Sequence, residues 1–408
     1  MGDRIEVPLE LADFEVLGTE LVEGWLEVRV ESTFTAACFH CGSVEVTGNG
    51  RHLRRIRDRS FGYPTVLVWS QRRFRCRDCG RLSRERHPQL AGRKRISRRF
   101  QAQLGELSKR EAWKEVACRE RVSWWRIADS FEAVAASVDP YAGPPPSVIS
   151  IDEASFRSRF VYHTVFSLPE QRRVVDLVEG RSQLSAFRGL SAFPDSWKEQ
   201  IETVVIDLYW PYRKAIEEVL PRARIVADKF HVLRVVDKAA EKVRIRHGRR
   251  VTVVGRDGGL ARGNNPRFQP EMWRSRWLFL RRHHLLTSPD QDRLDRLFAT
   301  HPQVGMAWWL KEAFAAIYQA TDRVEAERRL EIWVHHVEQS QLPEFKGAWH
   351  TLTYWREQIL NYFDHRHTNA YAEGITNKIK VMKRRGYGHG NSHRYRRKVL
   401  LSTNHQPG

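Results

Sequence analysis

Three aspartates stand at or near the ends of short apolar runs: Asp152 in "SVISIDEAS", Asp207 in "TVVIDLYW" and Asp228 in "RIVADKFHV". His231 follows the last of them by three residues. Runs of this length, rich in valine and isoleucine, read as strands. Carboxylates at such positions suit Mg²⁺, a hard cation that takes a few acid oxygens and fills its shell with water and phosphate oxygens. Two such ions roughly 3.5 to 4 Å apart activate an attacking oxygen, stabilise a leaving one and neutralise the phosphate between them. That is the chemistry of phosphodiester cleavage and strand transfer. A lone aspartate after a strand is more commonly a turn or cap residue. What decides is whether the chain brings these acids together.

The order of elements says that it does. "DPYAGPPPSV" (139–148) breaks helix and strand alike and reads as a linker. Beyond it come "SVISIDEAS", "RFVYHTVFSLP" and "RRVVDLVEG" as three strands, "SQLSAFRGL" as a helix, "TVVIDLYW" as a strand, "PYRKAIEEVL" as a helix and "RIVADKFHV" as a strand. This is the order of an RNase H-like core, in which the first and fourth strands are neighbours. Asp152 and Asp207 then form the metal-holding pair. Glu153 points to the opposite face of its strand, and Asp176 reads as structural. The third acid is sought in "HTNAYAEGITNKIKVMKRRGYG" (367–388). As a helix over 370–385 it places Glu373, Asn377, Lys380 and Arg384 on one stripe, opposite Ile375, Ile379 and Met382. That stripe reads as a metal ligand followed by phosphate contacts; its alternative is a solvated charged face.

Roughly 240–360 is too long for a loop. Its segments "EMWRSRWLFLRRHHLL", "DQDRLDRLFATH", "MAWWLKEAFAAIYQA" and "AERRLEIWVHHVEQ" read as helices of an insertion domain. Seven of the fourteen tryptophans fall there. Core packing is expected for them, with base stacking the minority reading. His283, His284, His335 and His336 read as ordinary helix residues, and "VVGRDGGLARGNNPRF" as a mobile loop.

The front of the chain carries different chemistry. Cys38 and Cys41 in "CFHCG" and Cys76 and Cys79 in "CRDCG" are two knuckles that supply the four thiolates of one structural Zn²⁺. Redox dithiols, the alternative, lack a βαβ setting. His40 and His87 are bystanders, and Cys118 is expected as a small core residue. The knuckles lie among arginines, of which Arg72, Arg73 and Arg75 are expected to meet DNA phosphates. Next, "EAWKEVACRE" and "RVSWWRIADSFEAVAASV" read as two helices. Ser123 is the N-cap of the second, with Ile127, Phe131 and Val134 on one face. This resembles a helix-turn-helix presenting Trp124 and Arg126 to DNA; a plain helical hairpin gives a similar pattern.

The whole chain agrees. Its 408 residues carry 69 lysines and arginines against 49 acids, a net charge of +20. Such a surplus favours a polyanionic partner. A 41% hydrophobic content excludes a disordered chain. No apolar run approaches the roughly 20 residues of a membrane span, and "MGDRIEVPLELADFEV" lacks the pattern of a signal peptide. A cytoplasmic, nucleoid-associated protein is expected, with no membrane partner.

The blocks "ISIDEASF", "VVIDLYWPYRKAIEEVLPRARIVADKFHV" and "TNAYAEGITNKIKVMKRRGYGHGN" resemble the catalytic blocks of the ISL-three family of bacterial insertion-sequence transposases. The resemblance covers essentially the whole chain. It implies a DDE transposase with the acids at Asp152, Asp207 and Glu373, two Mg²⁺ that Mn²⁺ can replace, and double-stranded DNA as partner, both terminal inverted repeats and target. The family often has Asn near the glutamate where this chain has Ile375 or Thr376, which leaves the acid set intact. Asp228 and His231 resemble a C/D-x-x-H motif of RNase H-fold transposases with helical insertions, distinct from the metal triad. They are expected to fix the turn between core and insertion or to lie near the DNA end; direct metal binding by Asp228 is the alternative. Assembly on two DNA ends implies a homodimer or higher. A catalytically silent DNA-binding regulator and a nuclease without a joining step are the rival functions. The expected architecture is multidomain α+β: a zinc ribbon (1–92), a helix-turn-helix (93–138), a linker (139–147), an RNase H-like α/β catalytic core (148–238), an all-helical insertion (239–360) and the last part of the core (361–408).

Overall fold

The computed structural model describes residues 11–91, 94–136, 138–157, 161–248, 270–385 and 391–403. Its contacts divide the chain into two compact units: Met1–Asp139 with Val381–Gly408, and Pro140–Lys380. The span 361–408 is therefore split between them.

The first unit opens with strands β1 (Phe14–Val22), β2 (Trp25–Ser32), β3 (Val46–Phe61), β4 (Tyr63–Cys76) and β5 (Leu82–Arg84). They form one sheet in the order β1-β2-β4-β3, with β5 on the lower part of β4. Alternation builds its core: Leu26, Val28 and Val30 of β2 pack with Leu67 and Trp69 of β4 and Ile56 of β3. The knuckles thus sit on a five-stranded sheet whose first two strands precede them. Three helices follow: α1 (Arg98–Arg110), α2 (Trp113–Arg119) and α3 (Trp124–Ala135). Ser97 caps α1 by accepting from the Phe100 N–H, and Ser123 caps α3 by accepting from the Arg126 N–H. Ile127 and Phe131 are buried, as the period requires. Cys118 is a correction: it is exposed rather than a core residue. In the short α2 the inward positions go to Val116 and Ala117, and the next residue turns outward.

The second unit holds strands β6 (Val148–Arg157), β7 (Val161–Leu168) and β8 (Arg173–Glu179), helices α4 (Gln183–Ser191) and α5 (Asp195–Gln200), β9 (Thr203–Ile206), α6 (Trp210–Val219), β10 (Arg224–Ala227) and α7 (Lys229–Gly248). The sheet order is β10-β9-β6-β7-β8. β6, β7 and β8 are antiparallel neighbours, while β9 runs parallel to both β6 and β10. All four residues of β9 are buried, as expected for a central strand covered on both faces. On one face α4 lies so close to β7 that a Cβ at Gly189 would come within 2.2 Å of the Phe166 ring.

The insertion continues with α8 (Pro270–Arg274), α9 (Arg276–Leu280), α10 (Ser288–Thr300), α11 (Pro302–Ile317), α12 (Arg323–Ser340), α13 (Pro343–Tyr354) and α14 (Arg356–His365). Its apolar core is continuous with that of the sheet, and α14 closes over β10, where the Asn361 side chain donates to the Ile225 carbonyl (2.9 Å). The tryptophans divide. Trp333 and Trp355 are core, but Trp273 and Trp277 are 65% and 69% exposed. The segment "EMWRSRWLFLRRHHLL" is not one helix. It is perturbed at Ser275, whose hydroxyl donates back to the Glu271 carbonyl (2.8 Å), and it ends at Arg281, where the backbone becomes extended. The segment "VVGRDGGLARGNNPRF" lies outside the described residues. Two last helices follow, α15 (Ala370–Arg385) and α16 (Ser392–Thr403). α16 packs within the first unit on α1 and α3, where Glu132 pairs with Arg394 and Arg397. Among the described residues no helix is long and apolar enough to cross a membrane.

Candidate active site and zinc centre

The parallel register aligns the acids. Ile206 of β9 stands opposite Ile151 of β6 and Ala227 of β10. Asp207, Asp152 and Asp228 each follow one of these residues, so the three carboxylates form a row across three adjacent strands. Asp152 and Asp228 are buried and Asp207 is half-buried.

Their hydrogen bonds set them apart. Asp228 is fully engaged. Its Oδ2 accepts from the His231 backbone N–H (3.2 Å) and from His231 Nδ1 (3.0 Å), and its Oδ1 accepts from the Asn369 N–H (3.1 Å). The first of these bonds is an N-cap: Asp228 opens α7, with His231 in the first turn. Asp207 is different. Its Oδ1 lies 2.8 Å from His231 Nδ1, an ion-pair distance. That oxygen is buried, and it competes with Asp228 for the single Nδ1–H, whose hydrogen-bond angle favours Asp228. Burial pushes the His231 pKa down, but its contacts with Asp207 and Asp228 pull it up to about 10. Asp152 is raised to about 6, by burial first and by the neighbouring charge of Asp207 second. A row of crowded carboxylates, in which Asp207 and Asp228 share a single imidazole donor, fits a hard divalent cation, which would relieve both the desolvation and the repulsion.

α15 reaches this row at two points. The Asn369 N–H, just before the helix, meets Asp228. The Thr376 hydroxyl donates to Asp152 Oδ2 (2.6 Å), and the Glu153 N–H donates to Asp152 Oδ1 (2.6 Å). Glu373 lies between those contacts, about one turn from each. It is exposed, and neither its carboxylate nor that of Asp152 belongs to the cluster of Asp207, Asp228 and His231, whose ligand atoms lie within 4.8 Å of one another. The helical stripe is as expected: Asn377, Lys380 and Arg384 are exposed, while Ile375 and Ile379 are buried. Glu153 pairs with Arg181 (3.2 Å). Thr376 and Asn369 escaped the sequence reading. Thr376 falls beside Ile375 on the buried side of the helix, which marks it as packed but does not name its partner.

The four knuckle cysteines converge, with all four sulfurs within 4.8 Å of one another. Cys38 and Cys79 are 3.6 Å apart, as are Cys41 and Cys76. A tetrahedral zinc site with arms of about 2.3 Å has sulfur–sulfur edges of about 3.8 Å, whereas a disulfide needs about 2.05 Å. The His40 N–H donates to the Cys38 sulfur (3.4 Å) and holds that thiol down, at about 6. His87 instead stacks on Phe14 (3.8 Å between centroids). Arg73 and Arg75 are exposed on β4. Arg72 is half-buried and bound to Glu85 (2.5 Å) and to the Phe34 carbonyl. Glu85 is buried and needs that partner. On α3, Trp124 leans on Trp113 (5.3 Å) and Arg126 is half-buried, whereas Trp125 is 68% exposed. The sequence offers Trp125 no less than Trp124, since the apolar face that begins at Ile127 leaves both at its edge.

The chain thus carries an acid row suited to a metal and a four-cysteine cluster suited to zinc. Comparison with known proteins gives the class to which such a chain belongs, the zinc-ribbon transposases. Residues 35–79 match the zinc-finger of transposases IS204, IS1001, IS1096 and IS1165. Residues 149–399 match the ISL3 family of DDE transposases. The transposase for insertion sequence element IS1001 of Bordetella parapertussis is 26% identical over 355 residues, which cover 86% of this chain and 85% of that protein. The chain belongs to the ISL3 family of insertion-sequence transposases.

Proposed function

We propose that the protein binds the terminal inverted repeats of its element, hydrolyses the DNA ends and joins their 3′-hydroxyls to target DNA. The observation that carries this is the level placement of Asp152 and Asp207 on neighbouring parallel strands, with α15 tied to Asp152 through Thr376. The strand order β10-β9-β6-β7-β8, with α7–α14 between the fifth strand and α15, supports an RNase H-like core interrupted by a helical insertion.

Asp152, Asp207 and Glu373 would hold two Mg²⁺. When bound, these ions supply activation of the attacking oxygen and stabilisation of the leaving one. Asp228 caps α7 and orients His231 beside Asp207. Asn377, Lys380 and Arg384 lie on the Glu373 stripe and would meet the phosphates of the DNA end. The zinc ribbon, through Arg73 and Arg75, and α2–α3, read as a helix-turn-helix with Trp124, Trp125 and Arg126, would hold the repeat. The division into ribbon (1–92), helix-turn-helix (93–138), linker (139–147), core (148–238), insertion (239–360) and a returning α15 follows from this reading. Cutting two ends together calls for a homodimer or larger assembly.

The test is a reaction of purified full-length protein with labelled linear terminal DNA, target DNA and Mg²⁺. Joined products that vanish in Asp152→Ala, Asp207→Ala and Glu373→Ala support the proposal. Tight binding without cleavage identifies a silent regulator, and cleavage without joining identifies a nuclease.

A further inference from the structure

We propose that Thr376 is a positioning residue: its hydroxyl fixes the Asp152 carboxylate and, together with the Asn369 N–H on Asp228, clips α15 across the strand ends so that Glu373 is carried over the end of β9. The inference rests on the acid assignment above and adds what assembles it.

Three observations lead there. The first is the hydroxyl itself. A threonine inside a helix ordinarily bonds back to a carbonyl of the preceding turn. Thr376 is buried, and its hydroxyl goes instead to Asp152, 224 positions away in sequence. A short O–H bond to a carboxylate is charge-assisted and directional. With the Glu153 N–H on the other oxygen, it leaves the Asp152 side chain one orientation.

The second is a match of dimensions. From Asn369 to Thr376 a helix rises about 10.5 Å. β10 and β6 are separated by β9 alone, so their ends lie two strand spacings apart, about 9.6 Å. One helical segment therefore spans Asp228 and Asp152 with little slack. Residue 373 falls near the middle of that span, over the strand that ends in Asp207.

The third is the surroundings of the second clip point. Asn369 is 97% buried, since 3% of it is exposed, and its side-chain oxygen accepts no hydrogen bond. The contact with Asp228 is made by the backbone, so it depends on where the chain enters α15 rather than on which side chain stands there. Thr376 is then the point at which a polar side chain ties the helix to the row, alongside the apolar docking of Ile375 and Ile379. An undocked α15 would leave Asp152 turned by one missing donor and Glu373 away from the row.

The experiment compares Thr376→Val and Thr376→Ala, which remove the hydroxyl with and without keeping the volume, with Thr376→Ser, which keeps it. Mn²⁺ binding is measured by electron paramagnetic resonance on the complex with pre-cleaved terminal DNA and no target, so that no turnover is needed. The Mg²⁺ midpoint for end cleavage is measured separately. The expected result is a loss of Mn²⁺ affinity and a rise in the Mg²⁺ midpoint of about tenfold or more in Val and Ala, with Ser within about twofold of wild type and terminal-DNA binding unchanged in all three. Wild-type Mn²⁺ binding in Val and Ala overturns the inference. So does a Ser variant as defective as Ala. Asp152→Ala separates the two levels: if it cleaves normally, the acid assignment has failed, whereas if it is inactive while Val and Ala behave as wild type, only the clip has failed.

Discussion

Asp207 and Asp228 follow adjacent strands at the same level, yet Asp228 is held by more donors than Asp207. Asp228 has donors on both oxygens, two of them backbone N–H groups, while Asp207 has only a share in the His231 imidazole. The two should therefore fail differently. Asp207→Ala is expected to reduce end cleavage to background with terminal-DNA binding intact. Asp228→Ala is expected to slow cleavage about 10- to 100-fold through misplaced neighbours and to lower stability by about 1 kcal/mol through the lost cap; end-labelled cleavage and chemical denaturation read the two effects. The sequence allowed the choice of Asp207, because strand order alone sets β9 beside β6. It did not disclose what engages Asp228, nor Thr376, whose partner is 224 positions away. Nor did it show that Arg72, alone in its run of arginines, is paired with the buried Glu85.

Elements with local signals were legible. Ser123 caps α3 where the apolar period begins, and the four residues of β9 read as a buried strand from composition alone. β1 was not legible, since most of it is exposed and its pattern is dominated by its partner β2. Two packing contacts test the elements. Gly189→Ala forces a methyl against Phe166 and should destabilise the sheet of the second unit by about 1–3 kcal/mol. Urea unfolding should show it, with zinc content unchanged. Lys398 of α16 is buried in the first unit, its ammonium meeting the Glu111 carbonyl (3.2 Å) and facing Trp113. Burial lowers its pKa from about 10.5 to about 8. Between those values the unfolded chain binds the proton and the folded chain does not, so the stability contributed by this group rises with pH from 8 to 10.5. Lys398→Met should flatten that rise and stabilise the unit most below pH 8. A pH series of denaturation midpoints for both proteins would decide it; a parallel pair of curves is the contrary result.

At the scale of the whole molecule, a charge of +20 and two separately built units divide the work. One carries the zinc ribbon and the capped helices, the other the acid row and the insertion. Cys41→Ser with Cys79→Ser should take the zinc content from one to none per chain and abolish selective repeat binding, while the second unit keeps its own core. Atomic absorption and a binding assay with competitor DNA measure both. The exposed Trp273 and Trp277 mark where the pattern reading fell short, since helical spacing cannot say which of several short helices lies outermost. The central claim is that Asp207, with Asp152, holds catalytic metal and Asp228 does not. Anomalous diffraction from a crystal of the protein with a terminal DNA end and Mn²⁺ tests it most directly. The assignment predicts manganese peaks in contact with Asp207 and Asp152 and none on Asp228. A peak on Asp228 with none on Asp207 would contradict it.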